Sequence, residues 1–312
     1  MSTNAAFSGV SLGVVFCMIS AGFDVYVANV IQEVNPAIFI IYCFILSTLV
    51  FSIISSVKKG SRYYFIKAKA NFGNLFLVNS AVLLNWGGLI LSLKYLEPAV
   101  VGIASVACGP ALTLIISRYI IKDTSHPTKY EGYAAWVILT SVVVMLVNSY
   151  VGKSGVTDTT TTERIIGISC VVLSAIGTVL YTFFSKRLST GDWKTYEILG
   201  VRNILMLLVT LFYMFSYEIS FLLNKEMLLI ILSLSIIGHI LPVFLIQSSI
   251  ATLDPIHVSL ILLLLPIFTL LFQFFDPRIH ISSETFITVI MITFLLIILS
   301  IVKLQKIDKD ER

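Results

Sequence analysis

Residues 97–113 read EPAVVGIASVACGPALT, and from residue 254 the chain reads DPIHVSLILLLLPIFT. Each stretch gives an acid, a proline, an apolar run, a second proline and then a threonine. Leu96, Glu97 and Pro98 align with Leu253, Asp254 and Pro255 at a shift of 157, whereas Pro110 and Thr113 align with Pro266 and Thr269 at 156. Proline inside a helix removes a backbone donor and clashes with the preceding turn, so an apolar segment with one proline at its start and another at its centre is unusual. Its recurrence half a chain apart indicates a duplication.

Composition places that duplication in a membrane. With 57% hydrophobic residues, 12% charged and a mean hydropathy of +0.97, the chain cannot cover itself with a solvated surface. A spanning helix needs roughly 20 mostly apolar residues, and the sequence divides into ten such segments. They run over 10–31, 36–57, 72–93, 98–120, 130–149, 165–186, 196–217, 227–250, 254–275 and 283–303. Met1 to Gly9 carry no Lys or Arg, so the first run is expected to stay as a helix rather than act as a cleaved leader. Cys17, Cys43, Cys108 and Cys170 fall inside spans at unrelated spacings. They read as small apolar residues rather than a disulfide framework or a metal site.

Basic residues set the orientation. Ten spans put both termini on one side, and 15 Lys and Arg fall on that side against five on the other. Both termini are therefore predicted cytoplasmic. The remaining basic residue, Arg202, lies inside a span.

Five spans per repeat reverse the second copy relative to the first. The predicted fold is an all-α integral membrane protein of ten transmembrane helices, arranged as two inverted-topology five-helix repeats. The first repeat covers 1–150, an exterior linker 151–164, the second repeat 165–303, and a cytoplasmic tail 304–312. Gly22 and Tyr26 match Gly177 and Tyr181 at a shift of 155, in register with the other pairs. The Thr-rich run 157–162 suits a short polar loop. Inverted repeats with interrupted helices are a common plan of secondary transporters, with the solute near the bilayer midplane. A freed carbonyl at membrane depth is tolerable only against protein or a water-filled cavity, so Pro110 and Pro266, with Gly109, are expected to form a hinge or cavity wall. For either proline alone, a plain structural kink would be the better account. The first copy carries Gly102, Ser105, Cys108 and Gly109, a small face for close helix packing, while the second is purely apolar from Leu260 to Leu265.

Asn85-Trp86 in the third span, the run Leu93-Lys94-Tyr95-Leu96-Glu97-Pro98-Ala99 and then Pro110 resemble the drug/metabolite transporter superfamily of the EamA type. The resemblance implies ten helices in two inverted repeats and carriage of small metabolites, amino acids or similar amphipathic solutes, most commonly by export across a bacterial inner membrane. Its short motifs are tolerant ones. EamA-type proteins often carry an arginine in the second helix, where this chain has Tyr42-Cys43-Phe44 and supplies Arg202 in the seventh instead.

Ionisable groups at membrane depth are costly enough to mark function. Asp24 lies roughly 21 Å along the first helix at 1.5 Å per residue and shares a face with Cys17, Ser20 and Ala28. It is a candidate for proton or cation coupling or for binding a substrate amine, or else a packing carboxylate bonded to Ser, Asn or Tyr neighbours. Arg202, roughly 9 Å from the cytoplasmic end of its helix, is expected to snorkel toward that interface near Glu197, with anchoring of an anionic solute as the lesser reading. His239, near Pro242 and on a face with Gln247, together with Asn85, Trp86, Ser20 and Tyr181, makes up the expected substrate-binding set. A central tryptophan is unusual, since tryptophans favour interfaces, as Trp136 and Trp193 are expected to do. The stripe Ser174, Thr178, Tyr181 and Ser185 reads first as interhelical hydrogen bonding.

Gly9-Val10-Ser11-Leu12-Gly13 matches a nucleophile-elbow pattern but lacks the strand-to-helix turn and partners that motif needs. No nucleotide-binding or metal-protease motif occurs in the sequence. The expectation is a non-enzymatic secondary carrier without cofactor or metal, working by alternating access. Its partners are the lipid bilayer, a small-molecule substrate and a proton or cation, with no nucleic acid. Uptake or exchange, or a non-transporting membrane scaffold, are the alternatives.

Overall fold

The computed structural model describes residues 3–109, 111–112, 129–156, 158–253, 255–262, 264–276, 279–280 and 282–310. Every regular element among them is helical. In chain order they are α1 (Thr3–Glu33), α2 (Pro36–Lys59), α3 (Ser61–Ala70), α4 (Phe72–Val82), α5 (Gly88–Tyr95), α6 (Pro98–Ala107), α7 (Lys129–Val151), α8 (Thr161–Thr190), α9 (Thr195–Val201), α10 (Ile204–Ser216), α11 (Lys225–Ser233), α12 (Leu241–Thr252), α13 (Pro255–Leu262), α14 (Leu264–Gln273) and α15 (Ser283–Asp310).

Among the described residues, six continuous helical stretches are long and apolar enough to cross a membrane: Gly9–Glu33, Pro36–Lys59, Phe72–Tyr95, Thr161–Thr190, Thr195–Ser216 and Lys225–Thr252. Four shorter apolar helices, Pro98–Ala107, Ala135–Val151, Leu264–Gln273 and Ser283–Leu295, accompany them. Pro110 and Thr113 lie outside the described residues, as does Asp254, so the hinge expected at Pro110 does too. Pro266 is buried inside α14.

Local chemistry explains where the helices start. Asn35 caps α2, its side chain accepting from the Ala37 amide, and Pro36 opens the first turn, where its missing N–H costs nothing. Thr160 and Glu163 form a reciprocal capping box at α8, which satisfies two orphan donors. Asn224 caps α11.

Three features depart from a plain reading of apolar runs. A short helix, α3, follows α2 directly, carrying Lys67 and Lys69 in its last turn and leaving Tyr63, Phe65 and Ile66 exposed. The third and eighth apolar runs each widen into a π-helical segment, Leu83–Gly87 and Leu234–Ile240. Pro242 follows the second of these and Gly87-Gly88 closes the first; proline interrupts the normal ladder, and such widenings cluster at functional sites. The seventh run breaks at Arg202 and Asn203, between α9 and α10.

The packing joins the two ends of the chain. α1 lies against α12 and α14, α6 against α14, and α8 against α5 and the Leu83–Gly87 segment. The approach of α8 to that segment is at backbone distance. A methyl group on Gly177 would stand 2.8 Å from the Ala81 carbonyl oxygen, and one on Gly102 would meet Thr269 at 3.4 Å.

Candidate functional site

A cavity of about 80 Å³ lies where α1, α6, α8 and α12 converge with the Leu83–Gly87 segment and the α9–α10 break. That volume admits a few waters. Its polar lining comes from Ser20, Asp24, Asn85, Ser105, Thr178, Tyr181, Thr182 and Arg202; Trp86, Phe16, Leu89 and Ile246 are among its apolar walls. Of the expected site residues, Ser20, Asp24, Asn85, Trp86 and Tyr181 are thus brought together around one space. They come from positions as far apart as 20 and 181.

Asp24 is 3% exposed and has no hydrogen bond or ion pair to another described residue. This runs against the packing-carboxylate alternative, because a buried charge without a partner is the expensive arrangement. Asn85, in contrast, is held in place: its Oδ1 accepts from Thr178 Oγ1 at 3.0 Å and Ser174 Oγ at 3.3 Å. The polar stripe on α8 therefore acts in interhelical bonding, as its spacing suggests, and at Thr178 and Tyr181 it also faces the cavity.

Arg202 differs from expectation. It is 1% exposed and does not snorkel toward Glu197. Its Nη1 donates to the Tyr181 hydroxyl, and its guanidinium carbon lies 4.9 Å from the centroid of that ring. The tyrosine in turn donates to Gln247 Oε1. Glu197 is taken by Lys67, at 2.7 Å. The break between α9 and α10 turns Arg202 inward, and a depth estimate along one straight helix does not capture that turn.

His239 sits one layer behind the cavity wall. Its ring centroid is 4.2 Å from Phe44 and 4.8 Å from Trp86, the latter edge-on, with Phe23 at 6.5 Å. It is fully buried, and neither ring nitrogen has a partner among the described residues. Trp86 is therefore the wall, backed by His239 from the other π-helical segment. Gly109 is buried just beyond the end of α6, and no described atom lies within 4 Å of where its side chain would begin.

The two ends of the bundle are each closed by a carboxylate. At one end Glu97, fully buried, accepts from Gly155 N at 2.7 Å, Gln273 Nε2 at 2.8 Å and Thr285 Oγ1 at 3.1 Å. Gln273 Oε1 accepts from Ala99 N at 3.1 Å. At the other end Glu197 meets Lys67, its Oε2 also accepting from Lys194 N at 2.8 Å, and Tyr64 donates to the Glu197 carbonyl at 2.9 Å. Burial pushes the Tyr64 phenol up to about 12, against hydrogen bonds from Ser55 and Ser52 that lower it. In the sequence Glu97 served as a repeat marker and as part of the 93–99 run, without a structural role, and Gln273 had none. An acid and an amide at helix ends are read as interfacial until the tertiary contacts bury them.

The geometry is that of a small chamber with largely apolar walls and a few polar side chains, inside an apolar bundle. Residues 165–306 match the EamA-like transporter family. The match covers the part of the chain that supplies α8 to most of α15, including Tyr181, Arg202, His239 and Gln247. It agrees with the resemblance drawn from Asn85-Trp86 and the Glu97-Pro98 connection, which lie outside it. A solved crystal structure shares the fold over 95% of this chain and 95% of its own, with a TM-score of 0.60 and 14% identity, which bears on the fold alone. No curated protein matches the chain significantly. The EamA-like match and, among the described residues, six membrane-length apolar helices mark this as an integral membrane protein. Among the described residues no cluster of His, Cys, Asp or Glu is arranged to hold a metal ion.

Proposed function

We propose that the protein is a secondary carrier, exporting small amphipathic metabolites such as amino acids by alternating access. The observation that carries this reading is the chamber itself: walls from both halves of the chain enclose an acid, Asp24, that no described residue neutralises. A rigid scaffold has no use for such a cost, whereas a carrier uses it to bind a cation, a proton or the amine of its solute.

The architecture under this reading is ten spans in two inverted five-helix repeats, with both termini in the cytoplasm of a bacterial cell and the protein in its inner membrane. In support, α6 packs on α14, its partner in the repeat, and the π-helical segments at Leu83–Gly87 and Leu234–Ile240 recur in the corresponding runs. The Glu97 cluster is then the exterior gate and the Lys67–Glu197 pair the cytoplasmic one. Asn85, Ser20 and Tyr181 contact the solute, Trp86 covers it, and His239 meets it only when the indole swings away. Pro266, with Pro110 and Gly109, lets the wall helices flex.

The test compares metabolites inside and outside cells with and without the protein, followed by counterflow of the enriched compounds in proteoliposomes. A solute that accumulates outside only when the protein is present, and that exchanges in liposomes, is the expected result. An unchanged metabolite profile together with no counterflow would refute it.

A further inference from the structure

The hydrogen bonds around Arg202 run in one direction and leave an imbalance. Arg202 Nη1 donates to Tyr181, and Tyr181 donates to Gln247 Oε1. What remains is all donor: Arg202 Nε, Arg202 Nη2 and Gln247 Nε2 have no acceptor among the described residues, although both side chains are at most 1% exposed. A buried N–H without an acceptor costs a full desolvation penalty. Three of them in one relay, with Arg202 and Tyr181 lining the cavity, leave the relay short of an acceptor, since Asp24 in the same lining makes no bond to it among the described residues.

The identity of the free atoms narrows what that acceptor is. Nε and Nη2 form one edge of the guanidinium, two parallel N–H bonds whose fork matches the two oxygens of a carboxylate. Nη1, on the opposite side, is already committed to the Tyr181 hydroxyl, and the guanidinium carbon lies 4.9 Å from the centroid of that ring. Among the described lining residues Arg202 is the one cation, and the walls are otherwise largely apolar, with Trp86, Phe16 and Ile246 beside it. A multiply charged phosphate ester would leave charge unpaired there, while a single carboxylate on an apolar body would not.

We infer that Arg202 and Gln247 form a carboxylate clamp, and that the solutes taken by this protein are monocarboxylates whose apolar part lies against Trp86. The inference rests on the reading of the chamber as the solute site and adds the chemical group by which the solute is held. Asp24 stands in the same chamber, so the amine of an amino acid held at Arg202 would find an acid to pair with or take a proton from.

The test is binding to the purified protein in nanodiscs, read by thermal stabilisation and calorimetry with matched probes: leucine against leucinamide, phenylalanine against phenylalaninamide, isovalerate against isovaleramide, and inorganic phosphate. The expected result is that carboxylates bind at least about tenfold tighter than their amides, about 1.4 kcal/mol, and that phosphate does not bind. Arg202→Lys keeps the charge and loses the fork, and should weaken carboxylate binding about tenfold or more while leaving amide binding within about twofold. Gln247→Glu keeps the acceptor for Tyr181 and puts an acceptor in place of the free donor. It should abolish carboxylate binding, and it serves where Arg202→Lys does not fold. Equal affinity for acids and amides, a preference that survives both variants, or no binding by any carboxylate overturns the clamp. Counterflow of the same probes separates the two ideas. Binding with carboxylate preference but no exchange leaves the clamp and removes the carrier; exchange without that preference does the reverse.

Discussion

Asp24 is the residue on which the transport reading turns. Its carboxyl group lines the chamber without a hydrogen-bond partner among the described residues, so replacing it with asparagine removes a titratable acid while disturbing no described hydrogen bond. Asp24→Asn is expected to keep the fold and to abolish the pH dependence of counterflow in proteoliposomes. Unchanged transport across the pH range would remove Asp24 from coupling. Lys67 is the opposite kind of residue. It neutralises Glu197, which is 1% exposed, while itself 13% exposed, and it also donates to the Asp192 carbonyl at 3.1 Å. Lys67→Met should lower the unfolding free energy by about 3 kcal/mol, because removing one partner leaves an uncompensated buried charge. Chemical denaturation in a fixed detergent reads this directly. The double variant with Glu197→Gln should recover much of the loss.

At the scale of elements, the decisive contact is the crossing of α8 over the Leu83–Gly87 segment. Gly177 has no room for a side chain, because the backbone of Asn85 and the Ala81 carbonyl occupy that space. Gly177→Ala is expected to cost roughly 1–3 kcal/mol as overpacking and to displace Asn85 from Thr178, so a lowered melting temperature should come with a loss of substrate affinity. The repeat made Gly177 and Tyr181 legible as a pair, but the π-helical widenings were not, since the apolar periodicity of a helix is nearly blind to one extra residue in a turn. The break at Arg202 escaped for a related reason. Gly200 and Asn203 are residue types found at helix ends, but they sit inside one long apolar run that reads as unbroken, and it is the bond from Leu205 N to Asn79 Oδ1 at 3.1 Å that gives the restarted helix a partner.

For the molecule as a whole, the two carboxylate clusters sit at opposite ends of the bundle, with the chamber between them. Composition and the paired Glu97-Pro98 and Asp254-Pro255 signals were enough to predict a helical membrane protein, and the polar residues at depth pointed to the chamber. Which of them touch was not legible, because contacts such as Glu97 with Gln273 and Thr285 join residues far apart in the chain. The Glu97 end carries its own pH signature. Burial raises its carboxyl above the ordinary value of 4.5, outweighing the lowering by bonds from Gly155, Gln273 and Thr285. With the folded value raised, the stability this group contributes is complete below the ordinary value and is lost as pH rises through the raised one. The melting temperature should therefore fall from acid toward neutral pH, and Glu97→Gln should flatten that slope. In the carrier reading, cysteines at positions 20 and 181 should be labelled by a membrane-impermeant reagent from one side at a time, and Glu97→Ala should increase labelling from the side of the Glu97 cluster. Labelling that never depends on the side would oppose alternating access.

The edge-on contact of Trp86 with His239 makes the chamber visible to light. Of the three tryptophans, Trp136 is exposed on α7 and Trp193 lies under the Lys67 ammonium at 4.8 Å, so both report on surroundings away from the cavity. Converting those two to phenylalanine leaves a single indole in the wall, screened from water by Phe23, Phe44 and an imidazole. Its emission should lie to the blue when the wall is shut and shift to the red, with a changed lifetime, when the ring swings out to admit water. The protein thus carries a built-in fluorophore by which occupancy and gating can be followed in real time, with no label attached.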